Sequence, residues 1–213
     1  MDDRKFIDIS FPYFEKMAIY PNNPHYCCSK VSDLRNGDSC NMSRIEMGTH
    51  TGTHLDAPSH FIQDGMTIDQ LSLERINGKA KVLHIRENVI TKECLEKYGI
   101  EKDDIIIFRT GNSNVFEGIN VLGTYVTLDY EGAQYLADKR VGMIGIDYMT
   151  IERPREQREQ GKSVHHILLD AGIPILETLD LRNVEEGEYM LCCLPLKLEG
   201  ADGSPVRAII ICT

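Results

Sequence analysis

The run Ile105-Ile106-Ile107-Phe108 is continuously apolar and mostly β-branched, held between Asp103-Asp104 and Arg109-Thr110-Gly111. A short stretch apolar on both alternating faces and bounded by polar and turn residues reads as a strand buried on both sides. Such a strand needs covering layers, and the neighbouring segments supply them. Ala80–Arg86 alternates as a half-buried strand, and the segment after it has Thr91 as a helix N-cap and Gly99 as a helix stop. Thr127–Arg140 puts Ala133, Leu136 and Ala137 on one helical face and leads into the strand Val141–Asp147. Ser163–Gly172 reads as a capped helix feeding the buried strand Ile173–Leu179. Lys5–Ser10, Tyr189–Leu198 and Val206–Thr213 read as further strands, and Ala18–Pro24 as a loop. Strands alternating with short helices predict an α/β domain around a mixed central sheet, with antiparallel pairing added by the strand-rich ends.

No repeat, low-complexity stretch or linker divides the chain, so residues 1–213 are expected to form one domain. The net charge of −10, without a basic run longer than a pair such as Lys139-Arg140, argues against nucleic acid as a partner. There is no apolar run of membrane-spanning length and no signal-like N-terminus, so no membrane association and a cytoplasmic location are expected. Seven cysteines, an odd number with the adjacent pairs Cys27-Cys28 and Cys192-Cys193 and no C-x-x-C, read as reduced, mostly buried thiols.

The stretch His50–Phe61, HTGTHLDAPSHF, concentrates three of the seven histidines and an aspartate. Thr51, Gly52, Thr53 and Pro58 disfavour a helix there. On an extended chain His50, Gly52, His54, Asp56, Pro58 and His60 share one side, with Leu55 and Phe61 on the other. Gly52 then leaves room between two imidazoles. A straight strand would hold His50 and His60 about 30 Å apart, so one centre requires a bend, which Gly52 and Pro58 permit. His and Asp are ligand types suited to Zn²⁺, Mn²⁺ or Fe²⁺. A second piece lies downstream, where Glu177 falls in register with Ile173 and Ile175, a costly place for a carboxylate that is neither paired nor bound to a cation. His165 and His166 begin the helix that feeds this strand.

HTGTHLDAPSHF resembles the signature of the cyclase-like metal-dependent hydrolases, the family containing bacterial kynurenine formamidase and isatin hydrolase. The likeness continues through Asp8–Ser10, Tyr20-Pro21, Phe108–Gly111, Gly145–Asp147, His165–Leu181 and Leu194–Ile209. It implies a swivelling β/β/α fold, a homodimer or higher homo-oligomer, and one or two Zn²⁺ ions, with Mn²⁺ as the alternative. By resemblance, His50, His54 and Asp56 match the ligands of a first ion. The same aspartate with His165, rather than His166, and Glu177 match those of a second, and His60 matches the proton-transfer histidine. The implied small-molecule reaction is hydrolysis of an amide, above all an aryl formamide such as N-formylkynurenine. A cyclic amide or lactone is the alternative.

The resemblance also implies apolar substrate contacts from the N-terminal loop, which makes Tyr20 the candidate contact. The segment after Asp147 departs from the formamidase pattern, and its charged run Glu152–Lys162 reads as a solvated loop. The functional alternative is a lid that carries Arg153 or Arg155 toward a substrate carboxylate. Two rivals belong to other classes. A non-haem iron oxygenase would use His54, Asp56 and His165 but leaves His50, His60 and Glu177 without a role. A non-catalytic metal-binding protein would have no need of His60.

Overall fold

The computed structural model describes residues 5–113, 124–154 and 163–212. The buried strand expected around Ile105 is β7 (Ile105–Arg109), and it lies between β5 (Gly78–His84) and β9 (Met143–Ile146), parallel to both. Its side chains divide by parity. Ile105 and Ile107 pack with Leu55, Ala80, Val82, Leu191, Ala208 and Ile210 on one face of the sheet. Ile106 and Phe108 pack with Leu136, Leu168 and Ile144 on the other. A short helix, α1 (Leu73–Ile76), precedes β5, and the second face is covered by α2 (Lys92–Leu95), α3 (Tyr130–Lys139) and α4 (Val164–Asp170).

The sheet continues from β9 to β10 (Ile175–Glu177), parallel, and from β5 to β11 (Gly187–Pro195) and β12 (Gly203–Ile211), antiparallel. It then closes on itself. The three-residue strand β4 (His54–Asp56) pairs antiparallel with β10 on one side and with the first residues of β12 on the other. The last residues of β12 carry β1 (Phe6–Asp8), and Ser10 bridges to Leu179. Local periodicity predicts the mixed sheet and its antiparallel ends, but long-range pairing of this kind, which closes the sheet, is invisible to it.

Two further departures have local causes. Thr127-Leu128 form a strand (β8) paired with Val89-Ile90 (β6), and the helix begins only at Tyr130, where the Asp129 side chain caps it by accepting from Gly132 N. A hairpin of β2 (Cys27–Ser32) and β3 (Met42–Glu46), not expected from the sequence, stands exposed along nearly its whole length. It also corrects the expectation of mostly buried thiols: Cys27, Cys28 and Cys40 are exposed, and only Cys94 and Cys193 are buried. The caps fare better. Thr91 accepts from Cys94 N and Ser163 from His166 N, and Gly99 ends its turn in the left-handed region. No described helix is long and apolar enough to cross a membrane.

Candidate metal centre

Closure of the sheet through β4 is what assembles the site. Its pairing with β10 sets His54 opposite Glu177 and Asp56 opposite Ile175. Gly52, at φ +62°, turns the chain before β4, and the tight turn Pro58–His60 returns it afterwards, so His50 and His60 meet instead of lying a strand's length apart. Their rings stack with centroids 3.8 Å apart. Gly52 does not leave room between imidazoles as its spacing suggested. A methyl there would stand 2.6 Å from Tyr13 Cε1, so the missing side chain admits Tyr13. Phe61 also departs from the two-residue alternation, because the Pro58–His60 turn has a period of about three. It swings to the cavity and stacks on His165 at 4.8 Å.

A cavity of about 270 Å³ is lined by His50, His54, His60, His165 and Glu177, together with Tyr20 and Phe61. Asp56 lies beneath it, 1% exposed. Its Oδ1 is 2.7 Å from His50 Nδ1 and 3.3 Å from His54 Nε2. Its Oδ2, though buried, has no hydrogen-bond partner and lies 3.7 Å from His165 Nε2. His165 Nε2 is in turn 3.2 Å from Glu177 Oε1, and His54 Nε2 is 3.6 Å from Glu177 Oε2. His50, His54 and Asp56 form one group able to hold a metal ion, and Asp56, His165 and Glu177 form another. A carboxylate buried with an orphaned oxygen amid imidazole nitrogens is the donor chemistry a divalent cation satisfies. These residues fit such an ion.

Each of the three histidines is held at its other nitrogen. His54 Nδ1 donates to the Gly52 carbonyl at 2.7 Å. His50 Nε2 donates to Asp202 Oδ2 at 2.8 Å, and His165 Nδ1 to Glu152 Oε1 at 2.7 Å. Acceptors behind ligating histidines fix which nitrogen faces the centre. Neither Asp202 nor Glu152 was singled out from the sequence as a site residue. Asp202 lies in a polar turn, EGADGS, that looks like any other. Glu152 heads the charged run expected to be solvated, yet it is 3% exposed, because it is drawn inward by the start of α4. Arg153 is exposed, and residues 155–162, including Arg155, lie outside the described residues. His166 is also exposed, facing away from His165.

The charges respond to this crowding. Burial works against the imidazolium of His50, but its bonds to Asp56 and Asp202 prevail and raise it to about 9. His165 is raised to about 10 against the same burial by Glu152 and Glu177. Burial likewise opposes ionisation of Asp56, yet the hydrogen bonds from His50 and His54 hold it well below the usual carboxylate range. His60 is moved the other way, lowered mainly by burial. Its Nδ1 lies 3.5 Å from Asp202 Oδ2, longer than a good hydrogen bond.

Residues 7–153 match the family described as putative cyclases. The kynurenine formamidase of Bacillus mycoides (strain KBAB4) is 34% identical over 99% of both chains. A solved structure described as a predicted metal-dependent hydrolase from Bacillus stearothermophilus is 31% identical over 98% of both chains, with a TM-score of 0.83. Isatin hydrolase A from Labrenzia aggregata, at 20% identity, shares the fold with a TM-score of 0.87 over 99% of this chain and 94% of its own. Motif, fold and full-length similarity agree: this chain belongs to the cyclase family.

Proposed function

We propose that this chain hydrolyses an aryl formamide such as N-formylkynurenine to the free amine and formate, using zinc held in the cavity. By its relatives it is a metal-dependent amide hydrolase. The observation that carries the reading is the buried Asp56, which offers one oxygen to each of two ligand groups and has no protein partner for Oδ2. In the proposal His50, His54 and Asp56 hold one ion, and Asp56, His165 and Glu177 hold a second. Three imidazoles and two carboxylates suit zinc, with manganese as the alternative.

A divalent ion in such a site makes a water more acidic and polarises a carbonyl. The chain's own groups do the rest. His60 takes the proton from the water and returns it to the leaving nitrogen. The water oxygen joins the formyl carbon as the C–N bond breaks. Tyr20, Phe61 and Met149 give the cavity the apolar and aromatic walls that suit an aryl ring.

The exposed hairpin supports a homodimer or larger homo-oligomer. A two-stranded ribbon alone is marginally stable, and Val31 and Ile45 on this one are 60% and 57% exposed. Light scattering that finds a monomer at assay concentration overturns that part. Free thiols throughout support a reducing, cytoplasmic setting.

The deciding experiment measures metal content together with ultraviolet assay of N-formylkynurenine, followed by formanilides, isatin and lactones, with Zn²⁺ and Mn²⁺ compared. Turnover of the formamides is expected. Turnover of isatin or lactones alone reassigns the substrate, and metal-loaded protein that hydrolyses none of these overturns the reading.

A further inference from the structure

The turn after β9 grips both residues that the second ligand group does not share with the first. Ile151 N donates to Glu177 Oε1 at 2.7 Å. The next residue, Glu152, reaches the start of α4. Its Oε2 accepts from Val164 N at 2.6 Å, and its Oε1 accepts from Ser163 Oγ at 3.1 Å and His165 Nδ1 at 2.7 Å. The turn itself is pinned from β8 and its approach: Leu128 N donates to Ile151 O at 2.9 Å and Tyr125 Oη to Glu152 O at 3.0 Å.

We propose that Glu152 is a positioning residue that makes the Asp56–His165–Glu177 group competent to bind an ion, and so sets whether this chain carries one ion or two. The proposal rests on the metal-hydrolase reading above. A carboxylate can only accept, so the His165 Nδ1 proton is committed to Glu152. The nitrogen left is Nε2, which already faces Glu177 and Asp56. Both oxygens of Glu152 are engaged by α4, so it borders the cavity as a brace and not as a ligand. The brace serves one group only. His50 is held by Asp202 and His54 by the Gly52 carbonyl, and Glu152 is the acceptor in neither bond. Loss of the Glu152 carboxylate therefore removes the second ion and spares the first.

The test strips the full chain of metal, reloads it with Zn²⁺ and compares wild type with Glu152→Gln and Glu152→Asp. Glutamine keeps the shape, but its NH₂ group confronts the donors of α4. Wild type is expected to take up two ions. In Glu152→Gln the second binds about 10- to 100-fold more weakly while the first is unchanged, and Glu152→Asp recovers part of the loss. A merely structural defect would weaken both. Should the glutamine variant fold poorly by circular dichroism, nitrogen-edited NMR of cadmium-loaded wild type decides: metal–nitrogen coupling at His165 Nε2 is expected, and coupling at Nδ1 overturns the proposal. Unchanged affinity for both ions in Glu152→Gln also overturns it, as does a wild type that binds only one. Wild type that binds two ions yet hydrolyses none of the amides fails the function reading alone.

Discussion

The Asp202 carboxylate and the His50 ring are joined by a 2.8 Å hydrogen bond at the imidazole nitrogen remote from Asp56. Asp202 comes from the turn before β12 and is tied there by Thr49 Oγ1 at 3.1 Å. This pairing mirrors that of Glu152 and His165 in the second group. Asp202→Asn is expected to weaken the first ion about 10- to 100-fold and leave the second in place. Competition with a chromophoric chelator reads the two affinities separately, and equal weakening of both would contradict the division.

Asp56 is the residue common to both groups. Asp56→Ala should abolish binding of both ions, since each group loses the carboxylate that the two share. Elemental analysis showing full metal in that variant would remove the shared role from Asp56.

His60→Ala separates chemistry from metal binding. The ring stacks on His50 but is not part of either Asp56 group. The variant should keep its metal and lose about 10²- to 10⁴-fold in kcat, the usual contribution of a positioned acid–base group. Steady-state kinetics beside metal analysis checks this, and unimpaired kcat would exclude His60 from proton transfer.

Gly203 offers a test of packing. A methyl on it would stand 2.7 Å from His50 Cε1 and 2.9 Å from the Leu55 carbonyl oxygen. Gly203→Ala should cost about 1–3 kcal/mol of stability, as overpacked positions do, and should weaken the first ion by displacing His50. Thermal melting of the metal-free variant and its zinc affinity measure the two effects.

Metal uptake should be pH-dependent. In the metal-free protein His50 and His165 are raised from 6.5 to about 9 and about 10, so both are imidazolium at neutral pH. A ligating nitrogen must give up its proton, so loading near pH 7 should release about two protons, and apparent affinity should rise with pH until about 9–10. The sign for stability is the reverse. A raised folded-state value stabilises the metal-free fold below the unfolded value of about 6.5, and that contribution fades as pH climbs through about 9–10. Calorimetric titration in buffers of different ionisation enthalpy counts the protons, and melting at pH 7 against pH 10 tests the stability sign.

Much of the fold was legible wherever the chain speaks locally. The apolar run at Ile105, the cap at Thr91 and the helix start at Ser163 all carry signals within a few residues, and each forms where expected. The ligand-type residues of His50–His60 were legible from their two-residue phasing, and the need for a bend followed from strand length. What local reasoning missed depends on distant partners. The closure of β4 onto β10 and β12 is a tertiary event. Tyr13 claims the space at Gly52 from far along the chain. Glu152 resembles the charges that follow it until α4 folds against it, and nothing in the turn around Asp202 announces that two histidines will face its carboxylate.

The short strand β4 has a consequence for how chains of this architecture can change. It carries His54 and Asp56 and is also the stave that shuts the sheet between β10 and β12. Chemistry and closure are written on the same three residues, so neither is free to drift without the other. Tyr20, Asn23, Met149 and Thr150 border the cavity but lie outside the closing seam. Substrate choice can be rewritten at those positions while the reaction is kept, and they are where a designer seeking a new amide should begin.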